Sequence, residues 1–273
     1  MTFHLENYLK TKRALIDEAL EKLLPPENEY PLSIHQALRY SLKGGKRIRP
    51  ILALAACETV GAKAEEALAA ACGIELIHTF SLVHDDLPCM DNDDLRRGQP
   101  TVHKKFGEAV ALLTGDALLS LGFELATRGG SPSRQGQVLE TLSHAIGIYG
   151  MIGGQAAELE LVGKEPELPK LEYVHSHKTG ALIAASLKIG ATLGGGTPQE
   201  IEELFKFGEY VGFAFQIVDD IIDGEGYLAI FGTKGAKEEA ERLTQKAKVH
   251  LTIFGSRGEV LNALADLILH RIQ

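Results

Sequence analysis

The chain is organised around one charged stretch, His84-Asp85-Asp86-Leu87-Pro88-Cys89-Met90-Asp91-Asn92-Asp93-Asp94-Leu95-Arg96-Arg97-Gly98. Its five carboxylates would repel one another unless a hard cation neutralised them, and Mg²⁺ binds one or two carboxylates together with waters and substrate phosphates. The arginine pair that follows suits bidentate contacts with phosphate. The stretch therefore indicates half of a site for magnesium and a diphosphate. The alternative is a solvated acidic loop or a non-catalytic cation site.

The spacing of these aspartates argues against one unbroken helix. Asp85 and Asp91 are separated by about 240° on an ideal helix at roughly 100° per residue, so they would not share a face. Pro88 disfavours helical geometry at Leu87. We therefore predict a helix that ends near Asp86 and a loop that turns Asp91 back toward Asp85.

A second acidic cluster follows an apolar segment at residues 213–218. Asp219 and Asp223 stand at positions i and i+4, which makes them neighbours on one helical face. Carboxylates on a face that is otherwise apolar are costly unless they are paired or bound to metal. The two clusters together predict facing walls of one metal-bridged cavity.

Four motifs in this order resemble those of the short-chain trans-polyprenyl diphosphate synthases, the family of farnesyl and geranylgeranyl diphosphate synthases. The resemblance runs from about residue 5 to the C-terminus. Its motifs are Gly44-Gly45-Lys46-Arg47-Ile48-Arg49-Pro50, the aspartate stretch ending in Arg96-Arg97-Gly98, Lys178-Thr179-Gly180, and Phe215-Gln216-Ile217-Val218-Asp219-Asp220-Ile221-Ile222-Asp223.

Composition and pattern set the fold class. No stretch shows alternating strands with hairpin signals, so we predict an all-α protein, an isoprenoid synthase-type helical bundle around a deep apolar cavity, with residues 1–273 forming a single domain. The predicted helices cover 3–24, 34–43 with Ser33 as cap, 50–60, 64–87, 106–126, 133–161, 171–193, 198–223 with Thr197 as cap, 235–254 and 258–271.

Charge and cysteine content exclude other classes. The net charge of −9 argues against a nucleic-acid binder. Three cysteines without a CxxC pattern, with neither a signal peptide nor an apolar run of about eighteen residues, favour a reduced cytoplasmic enzyme without a transmembrane segment.

The resemblance implies a substrate-binding set. One diphosphate, that of isopentenyl diphosphate, would be held by Lys46, Arg49, His78 and Arg97. The other, on the allylic substrate, would be held by Arg96 and Lys178. The alternatives are a helix–helix turn with solvated basic residues around Lys46, and a buried core histidine at His78.

The resemblance also implies a catalytic and a metal-binding set. Mg²⁺, three ions when substrate is bound, would be held by Asp85, Asp86, Asp91, Asp219, Asp220 and Asp223. The catalytic residues would be Asp85, Asp91, Lys178, Thr179, Gln216 and Asp219. Oxygens near Thr179 and Gln216 would face an allylic carbocation, and they would also bind substrate.

Product length should depend on the residues four and five positions before the aspartates, Ser81 and Phe80. The aromatic Phe80 resembles bacterial farnesyl diphosphate synthases, which predicts a magnesium-dependent transferase of isoprenoid biosynthesis that makes farnesyl diphosphate. The Pro88-Cys89 insertion supports the same assignment, since geranylgeranyl diphosphate synthases with this insertion usually have a smaller residue in place of Phe80. The sequence of residues 88–94, Pro-Cys-Met-Asp-Asn-Asp-Asp, also resembles geranylgeranyl diphosphate synthases, which leaves that product as an alternative. A non-catalytic subunit of a heteromeric synthase is a further alternative, and the resemblance implies a homodimer.

The chain departs from the family pattern after Asp223. There the family continues with a loop that carries several lysines, one of which contacts the allylic diphosphate. Here Gly224-Glu225-Gly226 leads directly into Tyr227, and roughly fifteen residues are missing by comparison with the family. A genuine loss predicts weaker substrate binding and an open site.

Overall fold

The computed structural model describes residues 4–163 and 167–270, and α-helices form most of this part of the chain. The all-α prediction is confirmed. The helices are α1 Leu5–Leu23, α2 Leu32–Ser41, α3 Ile48–Thr59, α4 Glu65–Asp85, α5 Val102–Phe106, α6 Glu108–Ala126, α7 Pro132–Ile146, α8 Met151–Leu161, α9 Leu168–Val174, α10 Ala181–Leu193, α11 Pro198–Asp223, α12 Tyr227–Val249 and α13 Glu259–His270.

Shorter elements complete the described chain. A π-helix, His175–Gly180, joins α9 to α10, and a 3₁₀-helix, Thr252–Gly258, precedes α13. Two-residue strands, β1 Leu95–Arg96 and β2 Gln99–Pro100, pair as an antiparallel hairpin. The hairpin corrects the prediction that strands are absent, since two-residue strands are too short to show alternation.

Several helix boundaries also differ from the prediction; α12, for example, begins at Tyr227 and not at residue 235. The expected helix 133–161 is broken into α7 and α8, because Gly147 and Gly150 adopt non-helical backbone angles. The Ser33 cap is wrong, since α2 already begins at Leu32 after Pro31. The Thr197 cap is confirmed: its hydroxyl accepts from the Glu200 amide, and the Glu200 carboxylate accepts from the Thr197 amide.

The described chain packs as two compact units, so the single-domain assignment stays a prediction. One unit contains Tyr8–Ile51 and Leu68–Gly129. Here α4 and α6 pack so closely that a Cβ on Gly73 would lie 2.5 Å from the Gly122 carbonyl oxygen. A buried ion pair joins Arg47 to Glu75 at 2.7 Å, and this unit carries the first aspartate cluster.

The other unit contains Leu52–Ala67 and the chain from Gly130 onward. Its centre is α10, of which nearly every residue is buried against α7 and α11. Gly208 on α11 makes room for this contact, because a Cβ there would lie 2.6 Å from the Ala184 Cα. Burial of large aliphatic side chains stabilises such a core by roughly 1.5–3 kcal/mol each. This unit carries the Lys178 motif and the second aspartate cluster.

Among the helices of residues 4–163 and 167–270, two, α4 and α6, are long and apolar enough to cross a membrane by length and composition alone. Within the protein, 67% of the apolar window of α4 and 39% of that of α6 are buried. Core helices pass the same test, so this is weak evidence for a membrane span.

Candidate active site

The first aspartate cluster begins where α4 ends. Asp85 is the last helical residue, and the loop that follows folds back on it through a hydrogen bond from the Asp91 amide to the Asp85 carbonyl oxygen at 2.9 Å. Asn92 adopts a positive φ of 54° in this turn, which asparagine tolerates. The predicted loop is confirmed, and Asp91 lies exposed beside the helix end.

Asp86 and Arg96 form a partly buried ion pair at the hairpin. Arg96 donates from Nε and Nη2 to Asp86 Oδ1 at 2.8 and 2.5 Å, and its Nη2 also donates to Asp93 at 2.9 Å. Burial raises the pKa of the Asp86 carboxyl, although Arg96 opposes that rise. In this structure the Asp86 side chain faces Arg96, so its metal role and the substrate role of Arg96 stay predictions.

Arg49 and His78 are brought together in the same unit. Arg49 Nη1 lies 3.3 Å from His78 Nε2. A guanidinium can only donate, so Nε2 accepts and the imidazole proton resides on Nδ1. Burial, and then the charge of Arg49, hold the pKa of His78 well below its usual range. His78 is therefore a neutral side chain that fixes Arg49 and keeps one donor.

Two further predicted phosphate ligands lie at the surface of this unit. Lys46 is exposed, and so is Arg97, which donates to the Lys43 carbonyl oxygen at 3.3 Å. Arg97 has a positive φ of 54° in the hairpin turn. Exposed cations of this kind can bind an anionic substrate at low desolvation cost.

Phe80 occupies a tightly built position below the aspartates. It is only 6% exposed, and the His84 ring stands edge-on to it at 5.2 Å. His84 Nε2 in turn lies 3.0 Å from the Leu112 carbonyl oxygen on α6. Gly115 permits this approach, since a Cβ there would lie 2.0 Å from His84 Nε2. Ser81 is half-buried and donates to the His78 carbonyl oxygen at 2.9 Å.

Lys178 lies within the π-helix and pairs with a carboxylate of α8. Its Nζ forms an ion pair with Glu158, a residue that the sequence did not assign to the site. Gly154 lets α8 reach this position, because a Cβ there would lie 2.2 Å from the Lys178 amide nitrogen. Thr179 beside it is buried. Glu158 was missed because its pairing depends on how α8 packs.

The second aspartate cluster lies on the last turns of α11, which ends at Asp223. The expected helical placement of Asp219 and Asp223 is therefore confirmed, with Gln216 half-buried one turn earlier. Asp220 is buried at 9% exposure and accepts a hydrogen bond from the Tyr227 amide at 2.8 Å. Its role as a metal ligand stays a prediction.

The aspartate side chains suit a magnesium ion whose coordination is completed by substrate and water. Within residues 4–163 and 167–270, no three His, Cys, Asp or Glu side chains already converge as a metal-binding group. Mg²⁺ needs only one or two carboxylates when waters and substrate phosphates supply the remaining oxygens. The exposed carboxylates of Asp91 and Asp223 fit that kind of site.

Comparison with known proteins places this geometry in context. The profile of the Polyprenyl synthetase family matches residues 32–239. A chloroplastic geranylgeranyl pyrophosphate synthase of Capsicum annuum is 45% identical over 294 positions, covering 98% of this chain and 79% of the relative. Large subunit 1 of a chloroplastic heterodimeric geranylgeranyl pyrophosphate synthase of Arabidopsis thaliana is 45% identical over 299 positions, covering 99% and 80%.

A solved structure agrees with the fold. The crystal structure of an FPP/GFPP synthase from Zymomonas mobilis superposes with a TM-score of 0.92 at 38% identity, over 97% of this chain and 98% of that one. The family profile spans most of the chain, and both curated relatives align along nearly all of it. The chain therefore belongs to the polyprenyl synthetase family and is a prenyltransferase, a prenyl diphosphate synthase.

Proposed function

We propose that the enzyme condenses isopentenyl diphosphate with dimethylallyl or geranyl diphosphate and releases farnesyl diphosphate. The observation that carries this product length is the position of Phe80. Its ring is buried, held edge-on by His84, and His84 is itself fixed to the α6 backbone. Because these contacts hold the ring in place, it would block a growing prenyl chain that reached it, and elongation would stop there.

The basic residues divide the work of binding two diphosphates. Lys46, Arg49 and Arg97 bind the diphosphate that stays on isopentenyl diphosphate, and neutral His78 adds the Nδ1–H donor. Lys178 binds the allylic diphosphate that departs, after giving up its ion pair with Glu158. Each role follows from charge complementarity and from the donors that these side chains present.

The reaction breaks the allylic C1–O bond, and the departing diphosphate takes the electron pair. The alkene of isopentenyl diphosphate then attacks the allylic carbocation, and the new C–C bond is followed by loss of a proton. Thr179 and Gln216 place oxygens beside the cation, and the departed diphosphate accepts the proton. Asp85 and Asp91 in one unit, and Asp219 in the other, would hold Mg²⁺, which would supply positive charge to the departing diphosphate.

Geranylgeranyl diphosphate is the second candidate product. The curated relatives at 45% identity are geranylgeranyl pyrophosphate synthases, whereas the solved structure at 38% identity is an FPP/GFPP synthase. The Pro88-Cys89 insertion is compatible with both candidate products, so it does not distinguish them. Product length separates them directly.

The experiment is product analysis with purified protein, Mg²⁺, isopentenyl diphosphate and labelled dimethylallyl or geranyl diphosphate. A fifteen-carbon product supports the farnesyl proposal. A twenty-carbon product keeps the chemistry and replaces the proposed product. If no product forms, addition of a family-type loop after Asp223 decides between a synthase that requires that loop and a non-catalytic subunit.

We also propose a cytoplasmic homodimer. The support is the outer face of α6, where Leu112 and Leu113 are 49% and 54% exposed although the helix is strongly apolar. Exposed leucines side by side favour burial against a second chain. The proposed location is supported by the three cysteines, which form no CxxC pattern, whereas the named plant relatives are chloroplastic and one of them is a heterodimer subunit.

A further inference from the structure

A buried polar network lies behind the second aspartate cluster. The Asp220 carboxylate accepts a hydrogen bond from the Tyr227 amide at 2.8 Å, and its Oδ2 lies 3.4 Å from His175 Nε2. The Tyr227 hydroxyl donates to Glu172 Oε1 at 2.8 Å. Glu172 is on α9, three residues before His175, so the contacts close into a ring that joins α9 and the π-helix to the ends of α11 and α12.

His175 occupies the centre of this network. Its side chain is 4% exposed, stacks on the Tyr227 ring at 5.7 Å and meets the edge of Phe213 at 6.0 Å. Phe213 and Tyr227 also contact each other, with ring centroids 5.9 Å apart, so the three rings form one packed cluster that holds the imidazole in place. Because the imidazole is packed in this way, it restrains the backbone around residue 175 to one conformation.

That backbone is the π-helix, which begins at His175 and carries Lys178 and Thr179. A single π-turn inserts about one extra residue into an α-helix, and such turns are rare and frequently lie at functional sites. The extra residue rotates every side chain that follows it relative to an α-helix. The direction of Lys178 therefore depends on whether this turn is held.

We propose that His175 is a positioning residue for prenyl transfer. Through Asp220 it ties the π-helix to α11, and so determines where Lys178 stands relative to Asp219. The inference rests on the proposed roles of Lys178 and Asp219 at the departing diphosphate. A displacement of about 1 Å at such a group can lower a rate by roughly 100-fold.

The short connection after Asp223 reinforces the same network. Gly226 lies directly against Asp220, since a Cβ at that position would come within 2.1 Å of Oδ2. Asp220 thus fixes the first residue of α12 as well as His175. The contacts of this carboxylate with His175 and the Tyr227 amide lie inside the protein, and its role as a metal ligand stays a prediction.

The test compares His175→Phe, which keeps a ring packed against Tyr227 and Phe213 but removes Nε2, with His175→Gln, which retains a donor. His177→Phe is the matched control, because it makes the same change two residues further on at a partly exposed position. We measure kcat, the KM of both substrates, and hydrogen exchange of the amides at 175–180 in protein free of metal and substrate.

We expect kcat to fall at least tenfold in His175→Phe, with the KM of isopentenyl diphosphate within twofold of the parent. Exchange at 175–180 should be faster in that variant, and His175→Gln should recover most of both losses. Unchanged kcat and exchange in His175→Phe overturn the proposal. A lower kcat accompanied by a higher KM for both substrates and by lower thermal stability, without rescue in His175→Gln, also overturns it. That result would mark His175 as a purely structural residue.

The same experiment separates this inference from the function on which it rests. If the parent protein forms no prenyl product, even with a family-type loop added after Asp223, the proposed roles of Lys178 and Asp219 fail. The exchange measurement still shows whether His175 holds the π-helix in place. Slow exchange that depends on His175 in an inactive parent would refute only the catalytic part of the proposal.

Discussion

At the scale of single residues, His78 shows how surroundings determine what a side chain can do. Burial and the neighbouring Arg49 lower the pKa of His78. Below the ordinary histidine pKa of about 6.5, the unfolded chain therefore binds a proton at His78 that the folded protein does not bind. The free energy of unfolding therefore falls as pH drops below about 6.5, by up to roughly 1.4 kcal/mol per pH unit, until the folded pKa is reached.

His78→Gln should remove this acid sensitivity. Urea unfolding at pH 7.5, 6.0 and 5.0 measures it, and His177→Gln is the control. A slope of stability against pH that is the same in parent and His78→Gln protein would contradict the assignment. The expected loss of affinity for isopentenyl diphosphate in His78→Gln is a separate readout on the same protein.

Phe80→Ala should lengthen the product. The substitution removes the buried ring that limits chain growth, and the His84 ring behind it loses its edge-on partner. Thin-layer or mass analysis of the products measures the change, with Phe123→Ala on α6 as the control. Because truncation of a buried phenylalanine costs about 3–5 kcal/mol, the comparison is made well below the melting temperature. An unchanged product distribution would remove Phe80 from the account.

Glu158→Gln should strengthen the binding of inorganic diphosphate without metal. Lys178 must leave its Glu158 partner before it can bind a phosphate, and the variant abolishes that competition. Both side chains are partly exposed, so solvent screening limits the effect to about 1 kcal/mol, a factor of roughly five. Titration calorimetry at low and high salt measures it, and weaker binding by the variant would show that the pair does not oppose diphosphate.

At the scale of helices, sequence patterns located most elements because their signals are local. Thr197, Pro198 and Glu200 mark the start of α11 within four residues, and Pro88 marks the loop after α4. The π-helix at His175 was not predicted, since it depends on packing rather than on any local pattern. The same holds for Tyr227 and Glu158, whose partners are distant in sequence.

Gly115→Ala should disrupt the contact between α6 and α4. Its Cβ would lie 2.0 Å from His84 Nε2, so His84 would have to leave the Leu112 carbonyl oxygen and Phe80. We expect a loss of about 1–3 kcal/mol of stability, as in other overpacked cores, together with a longer product. The control is Gly136→Ala on α7, where no atom lies within 4 Å of the added Cβ.

Urea unfolding compares the two glycine variants. Alanine is the better helix former by up to about 1 kcal/mol, so Gly136→Ala should equal or exceed the parent in stability. If Gly115→Ala were equally stable, His84 would have room that the structure does not show. A shift of product length in Gly136→Ala would mean that the assay reports on something other than Phe80.

At the scale of the whole molecule, the apolar outer face of α6 bears on assembly. Leu113→Glu should turn the proposed dimer into monomers, because a carboxylate cannot be buried there without a partner. Sedimentation equilibrium measures the mass, and Leu267→Glu on α13, at another exposed leucine, is the control. A dimer that survives Leu113→Glu would place the interface elsewhere.

The motifs alone do not determine which aspartates bind metal or how long the product is, because both depend on contacts between distant residues. Asp86 and Asp220 look like ligands in the motif, yet one faces Arg96 and the other holds the Tyr227 amide. Identical motif letters can thus serve packing or chemistry, depending on neighbours that the motif does not contain. Phe80 could be identified from its position five residues before Asp85. Its contact with His84, and the contact of His84 with α6, became visible only in the folded structure.

The three-residue connection between α11 and α12 also has an entropic consequence. Lengthening such a connection to roughly eighteen residues would raise its closure entropy by about 1.5 kcal/mol, so brevity favours the folded state. A long loop that becomes ordered around a ligand must surrender its freedom at the moment of binding. The three-residue connection has little conformational freedom to lose, so diphosphate binding should carry a smaller entropic cost. The same short connection also offers fewer cations to attract the diphosphate.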